Sequence, residues 1–141
     1  MRLQLVTLRG VGIDTDIYEL IAPTTTGEIA VFPGHESLVT MATPGALSVR
    51  YKKGDADSAL DFFAISGGVI EIGPTSIRVL VDEAEYGDDI VEAESRAALE
   101  RALKLRDEAK NRVDLDKAHQ LIDRHTVRLR VAELHRRRRR L

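Results

Sequence analysis

Up to about residue 85 the apolar and polar residues alternate with a period of two. Leu47, Val49 and Tyr51 alternate with Ala46, Ser48 and Arg50, and Ile77, Val79 and Val81 alternate with Ser76, Arg78 and Leu80. Alternation of this kind marks half-buried strands. It predicts strands over 2–9, 12–22, 28–32, 37–42, 46–52, 60–66, 68–72 and 75–82. Turn chemistry separates them at Gly10-Val11-Gly12, Pro33-Gly34, Pro44-Gly45, Lys53-Gly54-Asp55, Gly67-Gly68 and Gly73-Pro74. Many short strands with Gly/Pro punctuation and no helical pattern predict a β-sandwich or barrel.

At Gly87-Asp88-Asp89 the pattern changes, and glycine and proline disappear from there to the end. Asp88 or Asp89 is placed to cap a helix, with Glu92 and Glu94 near its positive N-terminal end. Ala98, Ala102, Leu105 and Ala109 recur at helical spacing, as do Ala118, Leu121, Ile122, His125, Leu129 and Ala132. Asn111-Arg112-Val113-Asp114 interrupts the period, and Asp114 is placed to cap the second helix. The short break predicts an antiparallel two-helix hairpin. Such a hairpin cannot bury its faces alone; it must dock on the sheet, on another chain, or on each at different times. The expected fold class is α+β, with a sandwich unit over 1–87 and a helical unit over 88–141.

One stretch stands out: Gly27-Glu28-Ile29-Ala30-Val31-Phe32-Pro33-Gly34-His35-Glu36-Ser37-Leu38-Val39 reads as strand, turn, strand. Phe32 precedes a proline and is pushed into extended backbone. Pro33 sets φ at the first corner of a turn, and Gly34 can take the positive φ of a type II second corner. His35 leaves this turn either as a plain turn histidine or as part of a contact surface carried by a rigid sheet.

Charge divides the chain. Residues 1–91 carry 6 Lys/Arg against 14 Asp/Glu, net −8, and residues 92–141 carry 15 against 9, net +6. The two pieces therefore meet different surroundings, or each other. With no cysteine there is no disulfide scaffold, thiolate metal site or thiol nucleophile. No apolar run approaches the roughly 18 residues of a membrane span. Met1-Arg2-Leu3-Gln4-Leu5-Val6 reads as a first strand rather than a signal peptide. The expectation is an intracellular protein with no direct bilayer insertion.

Catalytic constellations are missing from the pattern. Gly67-Gly68 and Gly10-Val11-Gly12 lie between strands and lack the lysine of a phosphate loop. A strand follows Ser66-Gly67-Gly68 where a nucleophile elbow requires a helix. His35, His119, His125 and His135 have no metal-ligand spacing, and His125 reads as a packed side chain. Asp82-Glu83, Glu85 and Asp88-Asp89 read as a solvated junction in preference to a cation site. Arginines 136–140 open a nucleic-acid reading. An acidic, aromatic-poor β-unit argues against it and favours a tail or an acidic partner.

Taken in order, the stretch from Gly27 through His35 to Val39-Thr40, then Pro44-Gly45-Ala46-Leu47, Ile65-Ser66-Gly67-Gly68-Val69-Ile70-Glu71-Ile72, Val79-Leu80-Val81-Asp82-Glu83-Ala84-Glu85 and Arg128-Leu129-Arg130-Val131-Ala132-Glu133-Leu134 resemble the ε subunit of F-type ATP synthases. The resemblance spans essentially the whole chain. It implies a ten-stranded sandwich followed by the hairpin; the 12–22 and 75–82 segments or the 51–60 loop would supply the two extra strands. It implies a non-catalytic rotor subunit of the central stalk, without cofactor or metal, partnered by the γ subunit, the c ring and the α/β catalytic head. The implied location is peripheral, on the cytoplasmic face of a bacterial plasma membrane or the stromal face of a thylakoid. The ring contact maps onto Glu28, with Phe32 and His35 beside it. The hairpin would fold against the sandwich or extend along γ into the head, where it impedes ATP hydrolysis.

The resemblance also carries a negative expectation. Some bacterial members bind ATP through Ile/Leu-Asp-x-x-Arg-Ala at the start of the first helix. Here Ile90-Val91-Glu92-Ala93-Glu94-Ser95 places Val91 at the aspartate and Glu94 at the arginine, and aligning on Arg96-Ala97 places Ala93 at the aspartate. No specific ATP binding is expected. For inhibition, Arg128, Arg130, Arg136 and Arg137 are the residues expected to meet an acidic segment of the head. The acidic sandwich competes for the same arginines, but the expectation is that deleting 136–141 raises ATP hydrolysis.

Overall fold

The computed structural model describes residues 1–138; Arg139 and Arg140 of the terminal arginine run, and Leu141, lie outside the described residues. Ten strands precede two helices: β1 (Arg2–Thr7), β2 (Gly10–Asp16), β3 (Glu19–Thr24), β4 (Gly27–Val31), β5 (Leu38–Ala42), β6 (Gly45–Arg50), β7 (Asp61–Ile65), β8 (Gly68–Ile72), β9 (Ser76–Val81), β10 (Ala84–Tyr86), α1 (Glu92–Glu108) and α2 (Arg112–Arg138). The strands pair in the order β10-β7-β6-β3-β5-β8-β9-β1-β2, with β4 also on β3. β3 meets β5 through one pair, Thr24 opposite Ala42, so the sheet folds there into two layers. The ladders are antiparallel except that between β1 and β9.

Alternation explains the core. Leu3 and Leu5, Leu20 and Ala22, Leu47 and Val49, Ile70 and Ile72, and Ile77, Val79 and Val81 point between the layers as one buried cluster. Each leucine, isoleucine or valine removed from water in this way contributes about 1.5–3 kcal/mol. β7 departs from alternation: Phe63 and Ile65 face the sandwich core, while Phe62 and Ala64 are buried on the other side. A continuous apolar run implies cover on both faces, and here α2 supplies the second cover.

Expectation and structure differ at several element ends. The 12–22 run is two strands, because the chain crosses layers at Ile17 and Tyr18. There Ile17 N–H donates to the Met1 carbonyl (2.8 Å) and Tyr18 N–H to the Arg50 carbonyl (2.8 Å). The other added strand is β10, beyond the 75–82 run. The 51–60 segment stays a loop with a 3-10 turn at Asp57–Ala59, tied by Arg50 to Glu19 (2.9 Å) and Asp57 (2.8 Å). Asp88 and Asp89 do not cap α1; they lie in a 3-10 turn, Gly87–Asp89, and α1 starts after Val91 with no side-chain cap. Asn111, not Asp114, caps α2: its Oδ1 accepts the Asp114 N–H at 2.9 Å. Of the two helical stripes, Ala102 and Ala118 are almost fully buried, but Leu105, in the last turn of α1, is half exposed. Val131, 0% exposed, lies outside the expected stripe of α2 because the sandwich, and not α1 alone, selects its buried face.

Candidate functional site

Two surfaces collect the candidate residues. The first is the connection between β4 and β5. Its turn is of type II: His35 N–H donates to the Phe32 carbonyl at 3.3 Å, and Gly34 has φ +86°. Gly34 N–H also donates to the Pro74 carbonyl at 2.8 Å, pinning the turn to the β8–β9 connection. The His35 ring Nδ1 lies 2.6 Å from the Glu36 carbonyl, so this histidine does serve its own turn. Phe32 packs edge-on against Tyr18, with ring centroids 5.5 Å apart, yet remains 42% exposed.

Beyond this turn β5 presents apolar side chains to the outside. Leu38, Val39 and Met41 of β5 are exposed, Val39 by 70%. Glu28, opposite Pro23 on β4, is exposed and makes no side-chain hydrogen bond or ion pair among the described residues. Exposed large apolar side chains on β5 and an exposed carboxylate on β4 suit a contact surface rather than a reaction centre. The structure brings Phe32 and His35 into one turn; Glu28 stands at the start of the preceding strand, without a bond to either.

The second surface is the underside of α2. Val131 and Ala132 pack on Leu60, Phe62, Ala64 and Ile90, with Ala46, Val127 and Leu134 around them, as a second core. Gly87 lies beneath the helix. A Cβ there would stand 3.1 Å from the Phe62 carbonyl oxygen, 3.2 Å from the His135 Cβ and 3.3 Å from a Val131 methyl.

Ion pairs border this core. Arg128 holds Glu85 with two hydrogen bonds, 2.7 and 3.1 Å. Arg124 reaches Glu83 at 3.3 Å, the His135 Nε2 lies 3.0 Å from Asp88, and Arg136 reaches Glu92 of α1 at 3.2 Å. The acidic cluster is therefore the receptor for α2, and not simply a solvated junction. Burial pushes the His125 imidazole below its ordinary pKa, and Arg128, Arg124 and Arg101 push it the same way against Glu85. An open groove of about 1010 Å³ separates the middle of α2 from the β1–β2 turn and β10. Among the described residues no three His, Asp or Glu side chains are grouped to hold a metal ion.

The arginines singled out in the sequence thus divide. Arg128 and Arg136 are engaged within the docked chain. Arg130 is exposed, and among the described residues Arg137 pairs with Glu133 one turn back, at 2.5 Å. Sequence reasoning missed Tyr51, Asp61, Tyr86 and Arg138. The hydroxyls of Tyr51 (2.8 Å) and Tyr86 (2.9 Å) and the guanidinium of Arg138 (2.6 Å) all donate to the Asp61 carboxylate. Sequence spacing gave no signal, since Asp61 and Arg138 are 77 residues apart.

The profile of the family described as "ATP synthase, Delta/Epsilon chain, beta-sandwich domain" matches residues 1–87. The ATP synthase epsilon chain of Herpetosiphon aurantiacus is 33% identical over 138 residues, covering 98% of this chain and 98% of that one. That of Halalkalibacterium halodurans is 36% identical over 133 residues, covering 94% and 96%. Among solved structures, a chain in the cryo-EM structure of the Euglena gracilis mitochondrial ATP synthase (OSCP/F1/c-ring) superposes with a TM-score of 0.78. It covers 94% of this chain and 80% of its own, at 23% identity, a likeness of fold. No helix of the described residues is long and apolar enough to cross a membrane. With the sandwich, the hairpin and full-length relatives in agreement, the chain belongs to the family of ATP synthase epsilon chains.

Proposed function

We propose that this protein is the non-catalytic central-stalk subunit of a proton-translocating F-type ATP synthase, turning with the rotor and regulating the catalytic head through its hairpin. The observation that carries this reading is end-to-end similarity to epsilon chains at 33% identity over 138 residues. The sandwich, 1–87, is the rigid unit; short turns and a closed core suit a part that transmits torque. Its β4–β5 edge, with Glu28, Phe32 and His35, meets the γ subunit and the polar loops of the c ring. Exposed apolar side chains supply contact area there, and Glu28 accepts hydrogen bonds from loop side chains. The protein then sits at the cytoplasmic face of a bacterial plasma membrane as a peripheral component.

The hairpin, 88–141, is the moving part. Released from the sandwich, it extends along γ into the α/β head, where Arg128, Arg130, Arg136 and Arg137 meet acidic side chains and slow ATP hydrolysis. Guanidinium groups suit such a partner because each can hold a carboxylate with two parallel hydrogen bonds. No ATP acts as its ligand, since Val91 and Glu94 replace the aspartate and arginine of the family's motif. Affinity purification from membranes of the source cell tests the assembly. The expected result is co-purification of γ and c-ring subunits at stoichiometric levels. Recovery of nucleic acid in their place, lost steeply with salt, sinks the reading.

A further inference from the structure

Asp61 opens β7 at the rim of the second core, beside the chain's last described residue. Its side chain is 19% exposed and that of Arg138 17%, so the pair is largely withdrawn from water. One carboxylate oxygen accepts from Tyr51, the other from Tyr86 and from Nη1 of Arg138. The same nitrogen donates to the Leu60 carbonyl. Two of the chain's three tyrosines thus converge on one carboxylate. All three receptor residues belong to the sandwich: Tyr86 is held opposite Phe63 in the β10–β7 ladder, and Asp61 opposite Val49 in the β6–β7 ladder. The receptor residues are therefore carried by the sandwich, with the Tyr86 ring also packed edge-on against His135 of α2, centroids 5.8 Å apart.

We propose that Tyr51, Asp61 and Tyr86 form a guanidinium-binding socket on the sandwich, and that Arg138 seated in it is the latch that keeps the hairpin docked. Both socket bonds leave from Nη1, so the preference for arginine rests on hydration: a guanidinium is more weakly hydrated than an ammonium and loses less on entering a site largely withdrawn from water. Undocking breaks the Arg138 bonds to Asp61 and to the Leu60 carbonyl together. Arg138 thereby acts with a sign opposite to Arg130 and Arg137: it favours the docked hairpin, and they serve the extended one. The effect on the assembled enzyme rests on the function proposed above, whereas the latch is intramolecular.

The full-length chain lacks cysteine, so Ala132→Cys, 5% exposed in the second core, is a clean reporter of undocking. Maleimide labelling of that thiol is expected to be slow with Arg138 and faster by about tenfold or more with Arg138→Ala, equivalent to about 1.4 kcal/mol. Arg138→Lys is expected to label within about threefold of Arg138→Ala, and adding Asp61→Asn to Arg138→Ala is expected to give little further increase. Alanine is the better helix former, so fraying of the last turn does not produce this result. Unchanged labelling in Arg138→Ala, or protection by lysine equal to that by arginine, overturns the socket. A hairpin that Arg138→Ala releases but that leaves hydrolysis by the assembled complex unchanged counts against the regulatory reading alone.

Discussion

Asp61 shows how one carboxylate balances opposing forces. Burial pushes its pKa up, but the Tyr51, Arg138 and Tyr86 hydrogen bonds together outweigh burial and hold it below the ordinary value. A depressed folded pKa stabilises the state above the unfolded value, about 3.9, and that contribution is lost as pH falls through the folded pKa. The Asp61 contribution to docking is therefore expected to be intact through neutral pH and to be lost progressively in acid. Tyrosine near-UV circular dichroism against pH checks this, and Asp61→Asn should reduce the acid dependence of that signal, Glu83 and Glu85 supplying the remainder. The same burial and the Asp61 carboxylate push the Tyr51 and Tyr86 phenols up. Asp61→Asn should bring both back toward the ordinary range, read as phenolate absorbance in alkali. Glu28 is the contrasting case, exposed and unpaired among the described residues. Glu28→Lys is expected to change stability by less than about 0.5 kcal/mol while lowering proton pumping per ATP hydrolysed. Thermal unfolding and a pumping assay on the assembled complex measure the two separately.

At the scale of elements, the β7–α2 contact decides the arrangement. Its two-sided burial was legible in outline, because Phe62-Phe63-Ala64-Ile65 lacks alternation, yet nothing local says which helix face covers it. Gly87→Ala places a methyl between β7 and α2, where the nearest atoms include a backbone oxygen at 3.1 Å that cannot swing aside. Overpacking of this kind costs about 1–3 kcal/mol. Faster hydrogen exchange along α2, with β1, β8 and β9 unchanged, is the expected result. Residues 1–87 alone are expected to unfold cooperatively as a β-protein, since their main core takes nothing from the helices. A melting curve from circular dichroism checks it. The outer faces of Phe62 and Ala64, bared by the truncation, should make that fragment less soluble.

Across the whole molecule, net −8 in residues 1–91 faces net +6 in 92–141. The docked hairpin satisfies this asymmetry internally through Arg128, Arg124 and Arg138, which meet Glu85, Glu83 and Asp61. Deleting 136–141 removes the latch together with residues assigned to the head, so its effect on hydrolysis is a difference of two terms. Arg130→Glu with Arg137→Glu addresses the second term, because among the described residues neither arginine has a hydrogen bond or ion pair to the sandwich. Hydrolysis at matched assembly is expected to rise severalfold, more at low salt than at high. Isothermal calorimetry with the isolated subunit is expected to show no saturable ATP binding in the micromolar range.

The sequence by itself determined the two-part plan, the strand faces, the type II turn at Pro33-Gly34 and the family. Each is written in short-range terms: period, turn chemistry, or a contiguous motif. Only the tertiary structure decided where the chain crosses between layers, which residue caps each helix, and which carboxylate each arginine holds. Charge in a sequence has sign but no direction. Glu85 and Arg128 lie 43 residues apart, and Asp61 and Arg138 lie 77 apart. Such pairs arise only when a helix packs in one register on a finished sheet, and that register is set by the fit of Val131 and Ala132 over Phe62 and Gly87.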